Sequence, residues 1–229
     1  VIMQPTYLPW LGFFELLSQA DVFVIYDDVQ FIRSSYHQRN RIKTANGVTE
    51  LTIPIQHTGQ DTLINQAHIS FDHGNKLQDH WKTITNAYKK TPYFEKYKKL
   101  FESVFLNSHI IYLSSLNVSL IKIICLILEI ETKFVYSSML GLQKTDSLDQ
   151  NIIDIVKKVD CNYLYDAKGA RTLLDVKSFE EQGIELVFQN YSHPTYKQRW
   201  GEFQYYMSVI DLIFNEGPNS LEIIKNGKN

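Results

Sequence analysis

Paired carboxylates, a run of arginines and amides, and one histidine carry the chemistry this sequence offers. Asp27 and Asp28 stand together just past the apolar run Val22-Phe23-Val24-Ile25-Tyr26. A carboxylate in such a place can bind a hydroxyl, an amine or a metal, or accept a proton. Neighbouring residues of an extended chain point to opposite sides. The pair is therefore not expected to form a shared acid–base dyad: one should reach into a cleft while the other caps the following turn. Gln30 comes next, then Arg33, Gln38, Arg39, Asn40 and Arg41. The planar guanidinium fork grips phosphate or sugar oxygens in a bidentate manner, and amides suit sugar hydroxyls. The plainer alternative is a pair of turn-capping aspartates followed by a solvated ladder. His193, in Ser192-His193-Pro194-Thr195-Tyr196-Lys197-Gln198, follows the last predicted strand and has the pKa range of an acid or base; a structural histidine is the alternative. Asp27, Asp28 and His193 are the candidate catalytic groups.

Gln4-Pro5-Thr6-Tyr7-Leu8-Pro9 precedes a run with helical spacing that begins at Trp10. Free N–H groups at a helix N-terminus favour an anion, and Gly12 would allow close backbone approach. A phosphate or carboxylate cradle is one reading; a tight strand–helix turn shaped by Pro9, Trp10 and Gly12 is the other. His57, His68, His73, His80 and His109 make no recognisable ligand set, so no metal site is expected. There is no Gly-x-Ser-x-Gly, Walker loop or Gly-x-Gly-x-x-Gly.

The elements that must position these groups follow from hydrophobic spacing. Val1–Met3 and Val22–Tyr26 read as buried strands flanking a helix with Phe13, Phe14, Leu16 and Leu17 on its apolar face. Continuous rather than alternating apolar residues suggest strands covered on both faces, as in parallel sheets. Glu50–Ile55 and Gln66–Ser70 look like strands about a polar turn at His57–Asp61. Helices are expected over Lys76–Tyr88, Tyr93–Phe105 and Ile110–Ile130, then strands at Lys133–Tyr136, Cys161–Tyr165 and Ile184–Phe188, with helices at Leu148–Val159 and Ser178–Gln182 between them. Gly201–Glu216 and Ser220–Ile224 read as helical. The expected fold is one α/β domain over 1–229, a parallel sheet of βαβ units with a β-rich insertion around 47–72 and a helical region around 76–130. Ligands of open parallel sheets bind beyond the carboxyl ends of the strands. That places the loops Gln4–Pro9, Asp27–Arg33, Ser137-Ser138, Asp166–Arg171 and Gln189–His193 at the site.

Composition narrows the class. With 229 residues, 44% hydrophobic and 21% charged, the chain is globular rather than disordered. A formal charge of −2 supplies no long-range attraction for nucleic acid. The most apolar stretch, Ile110–Ile130, is interrupted by Ser114, Ser115, Asn117, Lys122 and Glu129, which suits a buried helix better than a membrane span. Cys125 and Cys161 show no metal or disulfide spacing, and the start carries no secretion signal. A cytoplasmic location is expected.

Several blocks, taken in order, resemble the WbqC-like family. They are Ile2–Phe14, then Tyr26-Asp27-Asp28-Val29-Gln30-Phe31, then Gln38-Arg39-Asn40-Arg41-Ile42. Later come Tyr88 with Pro92-Tyr93-Phe94, Leu116-Asn117, Ser137-Ser138, His193–Gln198, and Ser208–Asp211 with Phe214–Gly217. The resemblance runs over essentially the whole chain. It implies a bacterial enzyme of O-antigen (lipopolysaccharide) and related surface-polysaccharide biosynthesis, transferring a small acyl or aminoacyl group such as glycine to a sugar or nucleotide-sugar. Carried onto these positions, it implies Arg33, Arg39 and Arg41 for phosphates, Asp27, Asp28, Gln30, Gln38 and Asn40 for sugar hydroxyls, and Tyr7, Trp10 and Tyr26 for stacking, with Gln4 and Gly12 in the first loop. The opening is also similar to that of nucleotidyltransferases, a Rossmann-like fold. Their His-x-Gly-His would fall on Trp10-Leu11-Gly12-Phe13, where aromatics replace both histidines. The donor is not specified; ATP or another activated donor would serve. An ATP-using nucleotidyltransferase- or ligase-type enzyme and a non-catalytic nucleotide-sugar-binding protein are the alternative functions.

Overall fold

The computed structural model describes residues 1–228 apart from Thr58, Gln60 and His73. His73 and part of the polar turn expected at 57–61 thus lie outside the described residues. Along the chain come β1 (Ile2–Met3), α1 (Leu11–Ser18), β2 (Val22–Ile25), β3 (Arg39–Thr44) and β4 (Gly47–Thr52). Next are α2 (Lys76–Tyr88), α3 (Phe94–Phe105), α4 (Leu113–Ile127), β5 (Lys133–Tyr136) and α5 (Leu148–Lys158). The last are β6 (Tyr163–Asp166), α6 (Val176–Glu180), β7 (Glu185–Phe188), α7 (Val209–Glu216) and α8 (Ser220–Lys225).

Two parallel units are present, as the alternating pattern predicts. β2 is the middle strand of a parallel sheet ordered β1-β2-β5, and β6 pairs in parallel with β7. Because side chains alternate across a strand, β2 feeds two cores. Phe23 and Ile25 enter a large one with α1, α2, α3, α4 and α7; Val24, with Ile2 and Tyr26, enters a second with α5, β6, α6 and β7. Covering both faces explains the continuous apolar run. In the helical region Phe214 of α7 contacts the rings of Tyr88, Phe94 and Phe101 at centroid distances of 5.3, 5.1 and 5.3 Å. Cys125 is buried on α4, its thiol pushed up to about 12 by loss of water, and is inert. Among the described residues no helix is long and apolar enough to cross a membrane.

Two expectations change. The β-rich part begins earlier, because Arg39–Thr44 forms β3 and pairs antiparallel with β4; Asn40, Ile42 and Lys43 are buried on it. Arginines at every second position disguised a strand whose other face is covered. Beyond β4 there are isolated bridges such as Ile55 with Ile69, not continuous strands. Secondly, 201–208 is not helical: the helix starts at Val209, capped by Ser208 Oγ accepting from Ile210 N–H at 3.4 Å. Residues 189–208 form one long connection, beyond the ~12–15 residues usual for irregular segments in compact domains.

The loop after β1 runs through the interior, so its carbonyls need partners. Asn117 of α4, fully buried, donates from Nδ2 to Pro5 O at 2.9 Å and His37 O at 2.8 Å. Asn40 of β3 donates from Nδ2 to Tyr7 O at 3.1 Å and Leu8 O at 2.8 Å. These bonds hold Leu8 at φ +44°, a region that a leucine rarely adopts. Asn117→Ala would leave Pro5 and His37 carbonyls buried and unpaired. A loss of about 2–4 kcal/mol is expected from the usual cost of such groups, read as a lower urea midpoint with unchanged slope. A variant as stable as the parent would mean that water replaces the amide.

Candidate functional site

Of the loops named from strand ends, Gln4–Pro9 and Asp166–Arg171 line cavities there, whereas Asp27–Arg33, Ser137-Ser138 and Gln189–His193 line neither the cleft nor the chamber described next. At the carboxyl end of β1 a cleft of about 360 Å³ is lined by Thr6, Trp10, Tyr36, Asn40, Arg41 and Tyr206, among others. Tyr36 and Tyr206 are exposed, and Trp10 lies between cleft and core. Arg41 comes from β3; its backbone is fixed by Asn40 Oδ1, which accepts from Arg41 N–H at 2.8 Å, and by Ser208 N–H, which donates to Arg41 O at 2.9 Å. No side chain among the described residues pairs with its guanidinium. A neighbouring recess of about 210 Å³ shares Tyr36, Asn40 and Arg41 and adds Arg39 and Glu50, which pair at 3.5 Å. On the other side, a chamber of about 350 Å³ shares Met3 and Thr6 with the cleft and adds Gln4, Tyr26 and Asp166.

Trp10 precedes α1 as its N-cap, and its indole lies against Gly12, where an added Cβ would collide with Cη2 and Cζ2. Gly12 makes room for the ring, and the space a close-approaching phosphate would use over it is filled. The indole also meets Tyr191, His193 and Tyr206 at centroid distances of 5.6, 6.2 and 5.8 Å. His193 sits behind Trp10 and Tyr206. Its Nδ1 is 2.8 Å from Pro194 O, which places the proton there, and its Nε2 is buried without a partner. Burial lowers its pKa, so the ring is a neutral acceptor. Tyr206 adopts φ +59°, strain located at the cleft.

The aspartates lie elsewhere. β2 ends at Ile25, so strand alternation no longer separates Asp27 from Asp28, and both reach one serine. Ser137 Oγ donates to Asp28 Oδ1, with Asp27 Oδ1 3.3 Å away, and accepts from Asp27 N–H at 3.2 Å. Asp27 also accepts from Ser138 N–H at 3.2 Å and Ser138 Oγ at 3.0 Å. Asp28 pairs with Lys144 at 3.1 Å, and that ammonium stands 4.2 Å above the Tyr26 ring. The pair fastens the ends of β2 and β5 together.

Of the other predicted binding residues, several do interior work. Tyr7 is buried with its hydroxyl 2.8 Å from His80 Nδ1. Gln38 is buried, accepting from Ser34 N–H and donating to Ile53 O. Arg33 donates to Gln56 O at 3.0 Å, and Gln30 bridges to Leu63; neither lines the cleft or the chamber. Gln4 is held by His37. Ile32 N–H donates to His37 Nδ1 at 3.3 Å, so the ring proton is on Nε2, 2.8 Å from Gln4 Oε1. Tyr36, Tyr206 and His37 join the site without a signal in the sequence pattern, Tyr206 because its segment reads as helix. Asp166 opens a loop that position after a strand places at the site, although the residue types alone give it no role.

Burial lowers the His37 pKa from 6.5 to about 4. The folded state therefore resists protonation, and the stability this ring contributes is present above pH 6.5 and lost as pH falls to about 4. Its NMR titration should show a midpoint near 4; a midpoint near 6.5 would mean an exposed ring. Gly12→Ala should displace the indole, costing about 1–3 kcal/mol as overpacking does and altering tryptophan fluorescence. Combining it with Trp10→Ala should remove most of that added cost in a double-mutant cycle, whereas simple additivity would place the indole elsewhere.

Comparison with known proteins shows the family to which the chain belongs. The chain is similar to a Mycobacterium tuberculosis (strain ATCC 25618 / H37Rv) protein described as uncharacterized protein Rv1507c, 29% identical over 231 residues, 98% of this chain and 96% of that one. No solved structure matches. The model of the WbqC-like protein family matches residues 4–223, nearly the whole chain, and the protein belongs to that family.

Proposed function

We propose that this protein is a cytoplasmic transferase of bacterial surface-polysaccharide (O-antigen) biosynthesis, which binds a sugar or nucleotide-linked sugar and adds a small acyl or aminoacyl group such as glycine. The observation that carries this reading is the Arg41 guanidinium, unpaired among the described residues, in a cleft walled by Trp10, Tyr36 and Tyr206 at the end of a parallel strand. A guanidinium suits a phosphate. Aromatic faces suit a base or a sugar ring, and a volume of about 360 Å³ is in the range of small-molecule sites. Arg39, in the adjoining recess, adds a second cation along the same edge.

In this reading a sugar amine or hydroxyl attacks the carbonyl carbon of an activated acyl donor. The new bond forms as the leaving group departs with its electron pair, and the proton of the nucleophile passes to a base. His193 suits that role through its Nε2, which has no partner among the described residues and is buried in a ring of aromatics that includes Trp10 and Tyr206. Asp27 and Asp28 are the other candidates, already engaged with Ser137, Ser138 and Lys144. A Rossmann-like or nucleotidyltransferase-like ancestry would account for the parallel β1–α1–β2 opening. The phosphate turn of such enzymes would pass over Gly12, where the indole lies, so an ATP-using reaction at that turn is the weaker reading.

The test is a thermal-shift series with UDP- and dTDP-linked sugars and ATP. A ligand bound by the folded state alone raises the melting temperature. Nucleotide-linked sugars should raise it, and Arg41→Ala should weaken their binding by about tenfold or more, about 1.4 kcal/mol, without lowering the melting temperature of the free protein. Indifference to every nucleotide-linked sugar, or full binding by the Arg41→Ala protein, rules this reading out. A response to ATP alone favours the ligase-type alternative.

A further inference from the structure

The chamber beyond Met3 and Thr6 is separate in its chemistry from the aromatic cleft. Its walls include Ile2, Tyr26, Leu148, Ile152 and Leu174, and its polar lining includes Gln4, Thr6 and Asp166. Asp166 ends β6 and is buried. One carboxyl oxygen, Oδ1, accepts from Ala167 N–H at 2.6 Å; Oδ2 has no partner among the described residues. The Gln4 amide is oriented by His37, which takes its oxygen and leaves its NH2 group without a partner among the described residues. A carboxylate and an amide donor therefore line one largely apolar space that shares Met3 and Thr6 with the cleft. The nearby Val1 ammonium donates to Val22 O at 3.1 Å and lines a different cavity.

We propose that this chamber is a subsite for a primary amine, held as an ammonium by Asp166 Oδ2 with a neighbouring oxygen of the ligand on the Gln4 amide. A carboxylate in apolar surroundings gains most from a cation that enters with it, because little water screens the pair. Burial raises the Asp166 pKa to about 6, which still leaves it ionised at neutral pH. A hydroxyl in place of the amine would add no positive charge to what the amino terminus already directs at the buried carboxylate, so the chamber favours amine over hydroxyl. The amine can belong to the sugar, in which case a sugar hydroxyl is the nucleophile because an ammonium has no lone pair, or to the transferred aminoacyl group. This inference rests on the proposed transferase reading for its place in the reaction but not for its chemistry.

Two matched pairs of probes test it, followed by NMR titration of the whole protein: UDP-glucosamine against UDP-glucose, and glycinamide against acetamide. In at least one pair the amine should bind about fivefold tighter or more, a preference abolished by Asp166→Asn, which keeps the acceptor for Ala167 N–H. Ala170→Leu, which adds volume at the chamber wall and keeps Asp166 itself, should abolish it as well. Preference in the UDP pair assigns the amine to the sugar, and preference in the amide pair assigns it to the transferred group. Amine preference with no response to either UDP-sugar supports the chamber while removing the nucleotide-sugar reading. Equal binding within both pairs, no binding by any probe, or a preference that survives Asp166→Asn overturns the inference.

Discussion

Backbone carbonyls buried in a loop impose the constraint on which the rest of this structure depends. The chain after β1 leaves the sheet without leaving the interior, and a buried carbonyl without a donor costs as much as a lost hydrogen bond. Asn117 and Asn40 supply the donors from α4 and β3. Each reaches two carbonyls, and so ties elements far apart in sequence to one turn. The left-handed Leu8 persists because these amides fix the residues on which it depends.

From that constraint follows a division of labour among the polar residues. The amides beside the arginines face inward and serve the backbone, as Gln38 and Asn40 do. The arginines at alternate positions of the same strand face the other way, toward cleft and recess. Period-two geometry thus sorts an apparently uniform polar segment into interior carpentry and exposed charge. Glu15 behaves like the amides: fully buried on α1, it accepts from Tyr165 OH and Gln189 Nε2, while Gln189 also donates to Gly12 O at 2.8 Å. That network carries the chain from β7 past the first turn of α1.

The far wall of the cleft is set by a second buried network. Asp211 accepts from Tyr88 OH at 2.9 Å and Tyr196 OH at 2.8 Å, and burial raises its carboxyl pKa. Lys43 donates from Nζ to Gln198 Oε1 at 3.2 Å and to the carbonyls of Gly201 and Glu202. Trp200 Nε1 donates to Ala87 O at 3.1 Å, and Ser192 N–H to Gly227 O at 2.8 Å. Side chains thereby hold 189–208 in place where regular structure does not. The segment can then carry His193 and Tyr206 to the edge of a site built on β1 and β3.

The sequence by itself determined the periodic elements and the edge at which polar loops gather. Strands such as Lys133–Tyr136 and helices such as Lys76–Tyr88 are legible because burial of one face imposes a repeat that local composition records. The rule that ligands lie past parallel strand ends points to the loops holding Gln4 and Asp166, and the run of arginines points to Arg41; all three line the cleft or the chamber. Tertiary structure decided which polar residue of each loop faces the cavity and which serves the backbone. Asn40 and Arg41 are adjacent and both border the cleft, yet the Asn40 amide donates to Tyr7 O and Leu8 O while the Arg41 guanidinium stays open; a single sequence does not record which carbonyls will lack donors. It also brought Asp27 and Asp28 onto one serine, because the strand ended before them, and hid the arginine-rich strand β3, whose burial comes from partners distant in the chain. Local spacing encodes periodicity, whereas partner choice in an irregular loop depends on contacts that exist only once the chain has folded.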